Sequence, residues 1–183
     1  AGLDVHGIDA SPAMVAALRS KPGGDAIPVT IGDFADVPVD GRFGVVLLAF
    51  NALLNLTSAE AQTACLRAAA EHLVPGGHVV VETFVPGDAA PREAVEVRHV
   101  DADEVRLSAY RIDDHVVSGS IVSITETGIK LRPWSVRLSS PAEIDAVAAA
   151  AGLAVADRWS GWRGERFDDT SERAVTVYRR GGV

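Results

Sequence analysis

Two apolar runs limit what this chain can fold into. VVLLAF (45–50) and HVVVETFV (78–85) run almost without polar/apolar alternation. Such runs suit strands covered on both faces, as in a parallel sheet flanked by helices. The segment between them carries helix signals. Thr57-Ser58-Ala59-Glu60 has the spacing of a capping box, Ala61, Cys65, Ala69 and Leu73 recur on one helical face, and Pro75-Gly76-Gly77 forms a stop.

The same alternation opens the chain. LDVHGID (3–9) reads as a buried strand, Ser11 as an N-cap and Pro12 as the first helical residue. This helix runs to about Lys21 and stops at Pro22-Gly23-Gly24, before a second short strand, Ile27 to Ile31. Strand and helix alternate from 3 to 85, which predicts an α/β fold: a doubly wound, Rossmann-like, mostly parallel sheet with right-handed crossovers.

Between 92 and 139 the period changes. VEVRHV, EVRLSAYRI, HVVSGSIVSITET and IKLRPWSVRL contain alternating segments broken by Asp113-Asp114 and Thr127-Gly128. They read as antiparallel strands joined by tight turns, a β-rich insert or lid on a single domain spanning 1–183. Ser140-Pro141-Ala142-Glu143 then repeats the helix-start signal, and Gly152 ends that helix. LAVADRW (153–159) and AVTVYRR (174–180) are the closing strands, the last antiparallel.

The remaining composition narrows the function. A net charge of −8 over 183 residues argues against a nucleic-acid footprint. The single cysteine, Cys65, excludes an internal disulfide, and the five scattered histidines do not form a metal site. Asp101-Ala102-Asp103-Glu104 reads as a solvated turn. With no apolar run near membrane-spanning length and no leader-like start, the expectation is a cytoplasmic protein without a membrane partner.

In open α/β sheets, ligands sit at the carboxyl ends of the strands. Asp9, Asp33 and Asn51 each follow a predicted strand end. An acid at such a place can hold ribose hydroxyls or cap the next helix. Trp134 and Trp159 read as packing residues. Trp162, with Arg163 or Arg166, lies on the ligand side and could line an acceptor pocket. Asn55 flanks a turn facing that side, and Tyr110 or His115 could reach the acceptor as a base.

The landmarks GIDASPAM, GDFADVPVDGRFGVVLLAFNALLNL, HLVPGGHVVVETFVPG, SPAEIDAVAAAAGL, WSGWRGERF and AVTVYRR stand in a fixed order. In that order the chain resembles the class I S-adenosylmethionine-dependent methyltransferases, and its β insert resembles that of a small-molecule subgroup including sugar N-methyltransferases. The resemblance implies S-adenosyl-L-methionine as cofactor. Asp9, with Ala10 beside it, would take the ribose hydroxyls, and Met14 would pack on the adenine. Asp33, within Gly32-Asp33-Phe34, would accept from the adenine amino group. Phe50 and Asn51 would lie under the methionine portion. The implied reaction is in-line methyl transfer to a nitrogen or oxygen of a small-molecule acceptor, with Asn55, Tyr110, His115, Trp162 and Arg166 as acceptor-side candidates and no metal. The insert could also join two copies as a homodimer.

Two departures accompany the resemblance. The family's first strand and glycine-rich loop are absent, and Gly44 replaces the acid usual after Phe43. The expectation is that residue 1 is not the native start and that the 183-residue chain binds the cofactor poorly. A nicotinamide-dependent oxidoreductase and a non-catalytic binding module share parts of the pattern and stand as alternatives.

Overall fold

The computed structural model describes residues 2–87 and 91–181. Residues 1, 182 and 183, the ends of the expected 1–183 unit, lie outside them. Strand β1 (Gly7–Asp9) leads through Ser11 into α1 (Pro12–Arg19). The Met14 N–H donates to Ser11 Oγ, and Pro12 occupies the first turn, where a missing N–H costs nothing. The chain then reverses at Gly23, φ 76°. Gly24 lies so close to the helix that a Cβ there would stand 1.9 Å from the Leu18 carbonyl oxygen. Strand β2 (Val29–Ile31) follows and pairs parallel with β1 as a separate two-stranded sheet.

The larger sheet contains β3 (Phe43–Leu48), β4 (Leu73–Phe84), β9 (Leu153–Trp159) and β10 (Arg173–Arg180) in the order β3-β4-β10-β9. Strand β4 runs parallel to β3, while β10 runs antiparallel to both β4 and β9. Three strands of this sheet therefore share one direction and only the last is reversed, as the reading of a mostly parallel sheet with an antiparallel last strand predicts. Helices α2 (Ala59–Glu71) and α3 (Pro141–Ala150) pack against each other and against this sheet. Leu53, Leu54, Leu66, Val79, Ala148 and Tyr178 form the centre of the core, each at most 1% exposed. Complete burial of a leucine contributes about 1.5–3 kcal/mol, so this cluster dominates the stability of the fold.

Strands β5 (Glu93–Val100), β6 (Glu104–Asp113), β7 (Val116–Thr125) and β8 (Gly128–Arg137) form a third, wholly antiparallel sheet in sequence order. Strand β8 packs on the 3-10 turn Ala52–Asn55, bringing this sheet beside the end of β3.

Several local readings need correction. The run at 45–50 is covered on one face only: Leu48 is buried, whereas Val45 and Leu47 are 57% and 54% exposed. Among the described residues, β3 pairs only with β4, and both helices in contact with this sheet cover its other face. Ser58, not Thr57, caps α2, its Oγ accepting from Ala61 N–H, so Glu60 stands one position too early for a reciprocal box. The helix ends before Pro75-Gly76-Gly77, which instead lies inside β4. The first strand is three residues long rather than seven, because β2 offers only three pairing positions, and Leu3 is left 79% exposed. Helix α1 ends at Arg19 rather than about Lys21. The box at Ser140 forms in full, with Ser140 Oγ accepting from Glu143 N–H and the Glu143 carboxylate accepting from Ser140 N–H.

Candidate active site

A cavity of about 750 Å³ opens at the carboxyl ends of β3 and β4. Its walls include Phe50, Asn51, Glu82, Phe84, Trp162 and Arg166. The backbone at its floor is unusual: Phe50 and Asn51 both adopt positive φ, 52° and 61°. A left-handed non-glycine residue costs about 1–2 kcal/mol, less for asparagine. Three bonds to β4 hold the turn. Phe50 N–H donates to Glu82 Oε2 at 2.9 Å, Asn51 N–H donates to the Glu82 carbonyl at 3.1 Å, and Phe84 N–H donates to Asn51 Oδ1 at 2.6 Å. The Phe50 ring projects outward, leaving the residue 88% exposed.

Glu82 is the buried charge of this site, 6% exposed. A buried carboxylate needs hydrogen bonds and a counter-charge. Phe50 N–H provides the first, and Arg173, its guanidinium 3.7 Å from Glu82 Oε1, the second. The opposite wall is the loop 160–172. Ser160 N–H donates to the Glu165 carbonyl, and an isolated bridge joins Trp159 to Arg166. Asp168 Oδ1 accepts from both the hydroxyl and the N–H of Thr170, which hold this carboxyl below its usual range.

The two acids expected to bind a nucleoside stand together at one end of the small sheet. Asp9 is opposite Ile31, and Gly32 N–H donates to the Asp9 carbonyl at 3.3 Å. Asp9 Oδ1 accepts from Ser11 N–H at 2.8 Å and Asp33 Oδ1 from Ala35 N–H at 2.9 Å. Each carboxylate therefore spends one oxygen on its own turn. The second oxygen has no hydrogen bond among the described residues and suits hydroxyl or amino donors such as those of an adenosine. Ala10 and Asp33 are exposed, as is Met14 at 59%. Gly32 lies where a Cβ would come within 2.8 Å of the Pro38 ring, and Phe34 packs against the core.

Of the expected site residues, Phe50, Asn51, Trp162 and Arg166 share the cavity. Asp9, Ala10, Met14, Gly32, Asp33 and Phe34 belong to or follow the β1–α1–β2 unit. Asn55 is exposed at the end of the 3-10 turn. Tyr110 lies on the insert, its hydroxyl donating to Glu96 Oε1 at 3.2 Å and its ring 6.5 Å from that of Trp134. His115 is exposed between Asp114 and Glu143. None of these three lines the cavity. Glu82, Asp168 and Arg173 escaped the sequence reading. Only Glu82 carried a signal, as an acid inside an otherwise apolar strand. Cys65 is no nucleophile, since burial pushes its thiol up to about 12.

A family model described as a methyltransferase domain matches residues 1–77. The CcbJ methyltransferase from Streptomyces caelestis superposes with a TM-score of 0.91 at 31% identity, covering 99% of this chain and 76% of that one. Cypemycin N-terminal methyltransferase from a Streptomyces species is 27% identical over 98% of this chain and 76% of its own length. S-adenosylmethionine-bound CalS10, an amino pentose methyltransferase from Micromonospora echinaspora, shares the fold with a TM-score of 0.72 at 23% identity, covering 96% of this chain and 73% of that one.

Proposed function

The chain belongs to the class I S-adenosylmethionine-dependent methyltransferases, and from that premise we propose that it methylates a small-molecule amine, with a hydroxyl as the second candidate, in the cavity beyond β3 and β4. One observation carries this reading: Asp9 and Asp33 hold bonding capacity for a nucleoside at the ends of β1 and β2, while Phe50 and Asn51 floor the cavity at the end of β3. The cofactor supplies a sulfonium methyl group whose leaving group is a neutral thioether. The chain's own residues supply position. Asp9 takes the ribose hydroxyls, Asp33 accepts from the adenine amino group beside Met14, and the Phe50–Asn51 turn lies under the methionine portion. Trp162 and Arg166 face the acceptor. Alignment of this kind contributes about 7–11 kcal/mol in favourable cases. The carboxylates of Asp168 and Glu172 in the cavity favour an amine acceptor, and the names of two relatives give an N-terminus and an amino pentose as what those proteins methylate. No observation favours the oxidoreductase or the non-catalytic module.

Calorimetry with S-adenosylmethionine tests the assignment. Asp9→Asn should raise the Kd at least tenfold with no change in melting temperature. Wild-type affinity in that variant would remove Asp9 from the site.

We also propose that the insert joins two copies. The cross-strand rows Val97–Leu107–Val122–Leu131 and Val100–Val105–Ile124–Ile129 form an apolar patch at one end of one face of its sheet. Val97, Ile129 and Leu131 are 66%, 70% and 63% exposed. An uncharged patch is self-complementary even in a chain of net charge −8. Light scattering should give a dimer that Leu131→Glu converts to monomer; a monomeric wild type would rule the pairing out.

A further inference from the structure

We propose that Glu82 is a positioning residue, whose buried carboxylate sets the shape of the cofactor-side floor by accepting the Phe50 N–H, and that its charge does not act on the ligand. The inference rests on the reading of Phe50–Asn51 as the segment under the cofactor's methionine portion. Glu82 is itself buried, yet it borders the cavity. Its two oxygens face different partners: Oε2 meets Phe50 N–H at 2.9 Å, and Oε1 meets the Arg173 guanidinium at 3.7 Å. Oε2 is thus fixed by a hydrogen bond to the floor of the cavity, and Oε1 is balanced by the Arg173 charge.

The backbone that it grips is the one that needs gripping. Two consecutive non-glycine residues at φ 52° and 61° are not a conformation the chain keeps unaided. The Glu82 backbone and side chain hold Asn51 and Phe50 in turn, and Asn51 Oδ1 returns the contact to β4 at Phe84 N–H. The turn is thus closed on both sides by one strand, with the single side-chain acceptor for Phe50 N–H coming from Glu82. Arg173, at the start of β10, links the same carboxylate to the end of the loop that carries Trp162 and Arg166. A shift of Glu82 would therefore move the two walls of the cavity together.

Two substitutions separate reach from charge. Glu82→Gln removes the charge but keeps an oxygen in place to accept from Phe50 N–H. Glu82→Asp keeps the charge but is one methylene too short to reach it. On the full-length gene product, calorimetric titration with S-adenosylmethionine should give Glu82→Gln a Kd within threefold of wild type and Glu82→Asp a Kd raised at least tenfold. In a proton–nitrogen correlation spectrum the Phe50 amide proton should shift further in Glu82→Asp, where the bond is lost, than in Glu82→Gln, where a neutral acceptor replaces a charged one. The reverse order, equal losses in both variants, or wild-type affinity in both would each overturn the positioning role. A merely structural role would lower the melting temperature without separating the two Kd values. Absence of binding by the wild type would overturn the proposed cofactor site, and this inference with it, and so is distinguishable from failure of the inference alone.

Discussion

Helices α1 and α3 begin with the same words and end in different states. Ser11 caps one and Ser140 the other, each accepting a backbone N–H three residues on, and each is followed by proline at the first helical position. Helix α3 places Ile144 and Ala148 in the core at 3% and 0% exposure, whereas α1 buries no side chain. The elements β1, α1 and β2 pack chiefly on one another. A cap decides where a helix starts, and a second layer decides what it contributes to stability. The lesson bears on the site, because Asp9 and Asp33 sit on the unit without a core and the cavity on the unit with one.

Truncations in the two units should break this contrast if it is wrong. Leu66 in α2 is fully buried. Leu66→Ala should cost about 2–5 kcal/mol, the range for a leucine removed from a packed core. Leu18 in α1 is only half-buried, and Leu18→Ala should cost less than about 1 kcal/mol. Urea unfolding of both variants measures the difference. Comparable midpoints would mean that the small unit is part of the same cooperative core.

What could be read from the sequence follows the range of the forces involved. The capping box at Ser140, the antiparallel meander of the insert and the strand ends at Asp9 and Asp33 are written in local chemistry and were legible. The choice of Ser58 over Thr57 was not. Two adjacent hydroxyls compete for one cap, and the winner depends on how the turn before α2 is anchored, where Gln62 donates to the Leu56 carbonyl. The open face of β3 was also hidden, because an apolar run reports what a strand can bury and not which layers cover it. Membership of the cavity was hardest. Asp168 reaches it from a loop with no periodicity and Arg173 from the start of β10, both brought in by the pairing of β9 with β10. Glu82 was the exception, visible as a charge where the strand pattern calls for none.

The caps provide the finest test of the same contrast. Ser140→Ala should lower global stability by about 1 kcal/mol. Ser11→Ala removes the same bond, yet should leave the urea midpoint in place and speed amide exchange only within α1. Glu143→Gln should act more weakly still, about 0.5 kcal/mol near neutral pH, because the carboxylate is 42% exposed. Its direction with pH is fixed. The bond from Ser140 N–H, chiefly, holds the Glu143 carboxyl below its usual range. A depressed folded value contributes stability above the unfolded carboxylate range of about 4.3, and that stability is lost as pH falls through the folded value. Wild type and Glu143→Gln should therefore differ at pH 7 and converge in acid. The corresponding position of α1 is Met14, and the Ser11 N–H goes instead to Asp9 Oδ1 from outside the helix. The urea midpoints of wild type and Ser11→Ala should therefore stay together from pH 7 into acid, and a separation of the two would mean that the two starts are stabilised alike after all.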